Sequence, residues 1–249
     1  MPGFEPADYY MKLLVFQHIE CEHPGILRSF LAEDDIQWDA VELDAGDDIP
    51  NLNDYDALWV MGGPMDVWDV EENPWLVPEK QAIRTWVNEL QKPYLGLCLG
   101  HQLLADALGG TCGPQNPPEI GVLDVELTES GRNDPIFAGM PASQRCLQWH
   151  SVCVAQPPEN ATVLASSDIC KVQAMRVGNN AWSMQYHVEL EADTVSNWGE
   201  IPAYKFALEA SLGPTGLDTM KRDSDAEMAD FAGNARKLYA NFMAQCVKS

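Results

Sequence analysis

An α/β layered fold is predicted by two observations. Short apolar, β-prone runs alternate with helix-patterned segments, and one such run passes into a helix through a glycine-flanked cysteine. The runs are "KLLVFQH" (12–18), "ALWVMGG" (57–63), "YLGLC" (94–98) and "WSMQYH" (182–187). Between the second and third, "EKQAIRTWVNELQKP" sets Ile83, Trp86, Val87 and Leu90 at helical spacing before Pro93, which predicts a crossover helix. Beyond the cysteine, Leu103, Leu104, Ala107 and Leu108 share one helical face, and Gly109-Gly110 ends that helix. Residues 121–181 contain "GVLDVELT", "RCLQWHSVCV", "ATVLASS" and "VQAMRVGNNAW", read as additional antiparallel strands of the same domain. In "DSDAEMADFAGNARKLYANFMAQ" an apolar stripe of Met228, Phe231, Ala235, Leu238 and Phe242 predicts a helix packed on the main sheet, with Ser224 or Asp225 as its cap. No repeat or linker interrupts the chain. Residues 1–249 are therefore expected to form a single domain, with 191–249 a helical C-terminal extension that either shapes a substrate lid or, more simply, covers the sheet.

Composition narrows the function. At 249 residues and 46% hydrophobic, the chain can bury a sizeable core, and eight tryptophans argue against disorder. Thirty-eight acidic against fifteen basic side chains give a formal charge of -23, a field that repels nucleic acid and anionic membranes. The opening "MPGFEPADYYMKLLVFQH" lacks the basic segment and long apolar region of a secretory signal, and no stretch approaches the roughly twenty apolar residues of a membrane span. Seven scattered cysteines without a C-x-x-C pair fit a reducing cytoplasm better than a disulfide framework.

The cysteine in "GLCLG" is Cys98, at the strand-to-helix joint. A sharp turn there projects sulfur clear of the backbone beside unpaired helical N–H groups, which favour a thiolate. Gly96 and Gly100 leave room for the crowding that follows. For the other six cysteines a buried structural role is expected. A cysteine nucleophile needs a base, and the base needs an orienting group. "YHVELE" supplies His187 and Glu189, two apart and hence on one face of an extended segment. His101, a turn beyond Cys98, competes as base but has no evident carboxylate partner, and His150 in "LQWHSVCV" is expected to shape the pocket. "HIECEH" offers His18, Glu20, Cys21, Glu22 and His23, but without a second ligand pair it reads as a turn after the first strand, and no metal site is expected. "VMGGPMD" follows a strand, and the Gly63 and Leu99 N–H groups make a candidate oxyanion hole.

Together, "GLCLGHQ", "MGGPMDVWD" and "YHVE", in this order and at these separations, resemble the class I glutamine amidotransferases, a family with a Cys-His-Glu triad. The likeness covers about residues 12–190, and "NPWLVPEKQAIRTW" and "EIGVLDVELTESGRNDPIFAGMP" look like its free-standing branch. The resemblance implies a flavodoxin-like three-layer sandwich, with a mixed, mainly parallel sheet flanked by helices. It implies that Cys98 attacks a γ-glutamyl carbonyl, that His187 protonates the departing amine, and that water releases glutamate from a thioester, without a cofactor. By position, Gly62, Gln102, His150 and Ser151 would contact the substrate, and Val152 stands where the family often has an aspartate near it. Two enzymatic readings follow: a hydrolase of γ-glutamyl amides or peptides, or a glutaminase delivering ammonia to a separate synthetase subunit. No G-x-x-x-x-G-K-[ST] loop is present, which leans toward the hydrolase. An inactive binding module of the same fold would be expected to lack a triad member, and none is missing.

Overall fold

The computed structural model describes residues 11–247. Most of the stretch read for a secretory signal, residues 1–10, lies outside the described residues. One mixed sheet holds β1 (Lys12–Gln17), β2 (Gln37–Glu42), β3 (Ala57–Val60), β4 (Tyr94–Leu97), β5 (Thr111–Leu127), β6 (Ser143–Gln156), β7 (Ala161–Ser166), β8 (Ala174–Val177) and β9 (Ala181–Met184). Their order is β2-β1-β3-β4-β9-β8-β7-β5-β6. From β2 to β9 neighbours are parallel, and from β9 to β6 they are antiparallel. The helices are α1 (Leu27–Glu33), α2 (Leu76–Arg84), α3 (Leu99–Ala107), α4 (Glu129–Asn133), α5 (Thr194–Gly199), α6 (Pro202–Leu212) and α7 (Gly216–Cys246).

Alternation along the central strands creates two cores. Leu13, Val15, Trp59, Leu95 and Leu97 face α1 and α7, where Leu27, Leu31, Leu238 and Phe242 meet them. Leu14, Phe16, Leu58 and Val60 face the other way, onto Leu76 and Ile83 of α2, Trp86 just beyond it, and Leu103 and Leu104 of α3. The result is the expected three-layer arrangement, a mixed sheet flanked by helices. A third cluster, built around Trp149, Trp198, Tyr204 and Phe231, lies where β5 and β6 meet α5 to α7.

Several elements depart from their sequence patterns for physical reasons. β2 escapes notice because, as an edge strand, it buries only Val41 fully and carries Asp39 and Glu42. The crossover helix widens into π-type turns over Thr85–Leu90 and stops at Gln91, in a left-handed conformation (φ 53°) before Pro93. β9 ends at Met184, short of the run through His187. Ser224 and Asp225 cap nothing: α7 starts eight residues before Ser224, and Ser224 is buried within it. Of the six other cysteines, Cys146 and Cys170 are buried, whereas Cys21, Cys112, Cys153 and Cys246 remain partly accessible.

Packing is close under the first turn of α3. A Cβ on Gly100 would stand 2.0 Å from the Val60 carbonyl oxygen, and one on Gly96 would stand 2.5 Å from the Gly100 carbonyl oxygen. Neither backbone neighbour can swing aside as a flexible side chain would. Gly100→Ala is expected to cost about 1–3 kcal/mol and to lower Tm measurably. Gly233→Ala, in α7 where a new Cβ meets nothing within 4 Å, should instead hold or raise Tm. Equal thermal shifts for the two variants would contradict this account.

Candidate active site

Cys98 occupies the joint between β4 and α3 with φ 50° and ψ −103°. A residue with a side chain rarely enters that region, and doing so costs of order 1–3 kcal/mol. The surroundings over-determine it: the Cys98 N–H donates to Met184 O on β9 at 2.8 Å, and the Cys98 carbonyl accepts from the N–H groups of His101 (3.0 Å) and Gln102 (3.2 Å). The sulfur stands at a cleft of about 150 Å³ and accepts from Gln185 Nε2 at 3.7 Å.

His187 and Glu189 follow β9. Paired backbone bonds with Leu147 of β6, at 2.9 and 3.1 Å, fix the main chain of His187. Its Nδ1 lies 2.6 Å from Glu189 Oε1, and Glu189 Oε2 accepts from the Val188 N–H at 2.9 Å. With Nδ1–H committed to the carboxylate, Nε2 is left for sulfur. Burial works against a charged imidazole here, but the Glu189 charge, together with its hydrogen bond and the adjacent Cys98 sulfur, raises the His187 pKa well above its ordinary value. For Glu189, burial pushes upward, yet the His187 charge and the surrounding donors win and hold its pKa low. The edge of the His187 ring meets Trp198 of α5, with centroids 4.6 Å apart. Cys98, His187 and Glu189, expected from the sequence to act together, are thus brought together.

Gly63 and Leu99 are also brought together, since a Cβ on Gly63 would lie 2.9 Å from Leu99 Cδ2. Among the described residues neither N–H has an acceptor, whereas those of Cys98 and Gly100 reach Met184 O and Met61 O. Two free donors beside a sulfur are what a developing oxyanion requires. Gly62 is turned the other way: it does not line the cleft, its carbonyl accepts from His18 Nδ1 at 2.8 Å, and a Cβ on it would strike Glu22 Oε2. A substrate contact through Gly62 therefore gives way to a supporting role.

Gln102, His150 and Ser151 all line the cleft, with Met65, Asp66, Ile120, Trp149 and Tyr204. The amide nitrogen of Gln102 already donates to Val152 O (3.1 Å) and Gln185 Oε1 (3.2 Å), so Gln102 braces the wall. His150 is held by Val152 O at 2.9 Å from Nδ1 and stands 3.2 Å from Glu119 Oε2, its register partner on β5. His101 is no competitor as base. Its ring is spent on Ser183 Oγ (2.8 Å) and Val172 O (3.0 Å), and burial lowers its pKa to about 3.

The stretch "HIECEH" is more than a turn. His18 is buried against Glu79 and Gly62, and Glu22 lies buried beneath Gly62, accepting from the Tyr204 hydroxyl. Burial raises the Glu22 pKa, partly offset by the nearby His187 charge and the Tyr204 bond. One signal was available: Glu79 falls on the buried helical stripe of Leu76, Ile83 and Trp86, where a carboxylate needs a partner. Tyr204 and Trp198, both beyond residue 190, gave no local signal. They join Trp149 in an aromatic cluster with centroids 5.6–6.1 Å apart, so the C-terminal extension does more than cover the sheet. Among the described residues, no three His, Cys, Asp or Glu side chains are grouped to hold a metal ion, and no helix is long and apolar enough to cross a membrane.

The family model described as glutamine amidotransferase class-I matches residues 26–196. A glutamine-hydrolyzing GMP synthase subunit from Sulfolobus acidocaldarius is 32% identical over 154 residues, covering 61% of this chain and 77% of its own. A gamma-glutamyl peptidase 3 from Arabidopsis thaliana is 28% identical over 171 residues, covering 66% and 68%. Among solved structures, a glutamine amidotransferase from Thermotoga maritima superposes with TM-score 0.83 at 28% identity, over 97% of this chain and 100% of that one. With the family model spanning more than half its length, the chain belongs to the class I glutamine amidotransferases.

Proposed function

We propose that this chain hydrolyses a γ-glutamyl amide or peptide bond, glutamine included, through a Cys98 thioester, releasing glutamate and an amine or ammonia. The observation that carries this reading is the convergence of Cys98, the His187–Glu189 pair and two unpaired N–H groups at one cleft. In the first half-reaction the sulfur attacks the γ-carbonyl carbon, and the oxygen takes up negative charge against the Gly63 and Leu99 N–H groups. His187 gives its proton to the departing nitrogen as the C–N bond breaks. In the second half-reaction water attacks the thioester, His187 takes a proton from it, and glutamate leaves as the thiol is restored. Glu189 keeps the imidazole in the required tautomer and balances its charge.

The cleft walls support a small γ-glutamyl group. Asp66 is the one carboxylate among the described lining residues, and it suits the α-ammonium of the substrate in a cleft where Val152 offers no acid. An inactive module is disfavoured by the intact triad. The second enzymatic reading, an ammonia donor to a separate synthetase, draws on the GMP synthase subunits among the relatives. Closure of the cleft by Tyr204, Ala203 and Ala207 of this same chain favours the independent hydrolase.

Purified protein incubated with glutamine and a series of γ-glutamyl amines and dipeptides is expected to release glutamate. Strong turnover of the amines with poor turnover of glutamine decides against the ammonia-donor reading. Cys98→Ala should abolish release, and activity that persists would remove the nucleophile assignment. Glu189→Gln should lose less, and because the Glu189 charge raises the His187 pKa, the alkaline limb of its kcat profile should move to lower pH. An unmoved limb contradicts that pairing. Asp66→Asn should raise KM about tenfold for γ-glutamyl substrates, the loss of one charge-assisted hydrogen bond. KM for glutaramate, which lacks the α-amino group, should stay near the parent value, and a parallel rise for both would remove Asp66 from recognition.

A further inference from the structure

Among the described residues the His18–Glu79 pair is the most deeply buried ion pair, with both side chains 0% exposed, and the reaction above makes no use of it. Glu79 Oε1 lies 2.8 Å from His18 Nε2, while Glu79 Oε2 has no partner. The other ring nitrogen, Nδ1, lies 2.8 Å from Gly62 O, so it carries the proton and donates. The ring is also stacked on Trp75, with centroids 5.4 Å apart, and cannot turn freely. Burial opposes a charge on His18, but Glu79 and the Gly62 carbonyl outweigh it and raise its pKa.

The Gly62 carbonyl and the Gly63 N–H belong to one peptide group, and in a trans peptide the two point in opposite directions. Holding the carbonyl toward His18 therefore aims the Gly63 N–H away from it, toward the Leu99 side of the cleft. We propose that His18 and Glu79 are positioning residues for the oxyanion hole: Glu79 fixes the His18 ring, and His18 fixes the Gly62–Gly63 peptide so that its N–H meets the oxygen of the tetrahedral intermediate. A hydrogen bond from an imidazolium to the carbonyl also polarises the peptide, making its N–H a stronger donor. A pair kept only for stability is poorly explained here. An apolar pair of similar volume is commonly as stable as a buried ion pair or more so, and it would leave no carboxylate oxygen unpartnered.

This inference rests on the reading of Gly63 as an oxyanion donor in γ-glutamyl hydrolysis. Its test compares the parent with the double variant His18→Leu/Glu79→Leu and with His18→Asn, whose amide can still donate to Gly62 O. The double variant should keep its Tm and its KM within about threefold, yet lose about 10- to 100-fold in kcat, up to the scale of a removed oxyanion donor. His18→Asn should recover part of that loss. Alkylation of Cys98 by iodoacetamide, which passes through no oxyanion, should proceed at the parent rate in every variant. Unchanged kcat in the double variant, or alkylation falling in step with kcat, overturns the assignment. Should the double variant not fold, Glu79→Gln and His18→Asn carry the same comparison, with kcat lowered and alkylation retained. A parent that turns over no γ-glutamyl substrate overturns the hydrolase reading and this inference with it, whereas an active parent with an unaffected double variant overturns this inference alone.

Discussion

The contact between α3 and β3 at Gly100 is the constraint on which the site depends. Because no side chain intervenes, the first turn of α3 lies directly against the Val60 carbonyl, and the Gly100 N–H reaches Met61 O at 3.1 Å. That approach leaves one residue, Cys98, to join strand and helix, and only a positive φ closes so short a connection. The strain at Cys98 is offset by neighbours already rigid for other reasons: Met184 on β9 and the helical turn that its own carbonyl starts. Cys98, Leu99 and Gly63 then line one cleft.

Around this turn the protein buries several charged side chains. The His187–Glu189 and His18–Glu79 pairs are each almost wholly excluded from solvent, and Glu22 lies between them under Gly62. Each imidazole has one ring nitrogen tied to a carboxylate and the other directed at a second partner, the Cys98 sulfur in one case and the Gly62 carbonyl in the other. In a low-dielectric interior such pairs hold direction firmly, because breaking either bond would leave an uncompensated charge. Most of the acidic side chains behind the formal net charge of -23 lie outside this arrangement.

The family match ends at residue 196, and the cleft does not. Trp198 touches the His187 ring and donates to Cys21 O at 3.1 Å, while Tyr204 reaches Glu22 and lines the cleft. Short helices α5 and α6 are anchored by α7, whose Phe231 and Met220 pack in the same hydrophobic cluster. One wall of the pocket is thus supplied by a segment outside the shared motifs.

The sequence alone determined what is local. Alternating apolar runs specify strands because burial on both faces demands them, and a glycine-flanked cysteine between strand and helix specifies an elbow because few other residues fit. Spacing two apart was enough to pair His187 with Glu189, since one extended segment carries both. Tertiary structure alone decided what depends on distant partners. It turned Gly62 away from the cleft, occupied the Gln102 amide, withdrew His101 into a neutral hydrogen-bonded position and started α7 eight residues early. It also joined His18 to Glu79 and Tyr204 to Glu22, hydrogen bonds across 61 and 182 residues of which the chain carries no trace beyond the place of Glu79 on a buried helical stripe. Short-range periodicity records which face a residue takes, but only the folded packing decides which groups meet there.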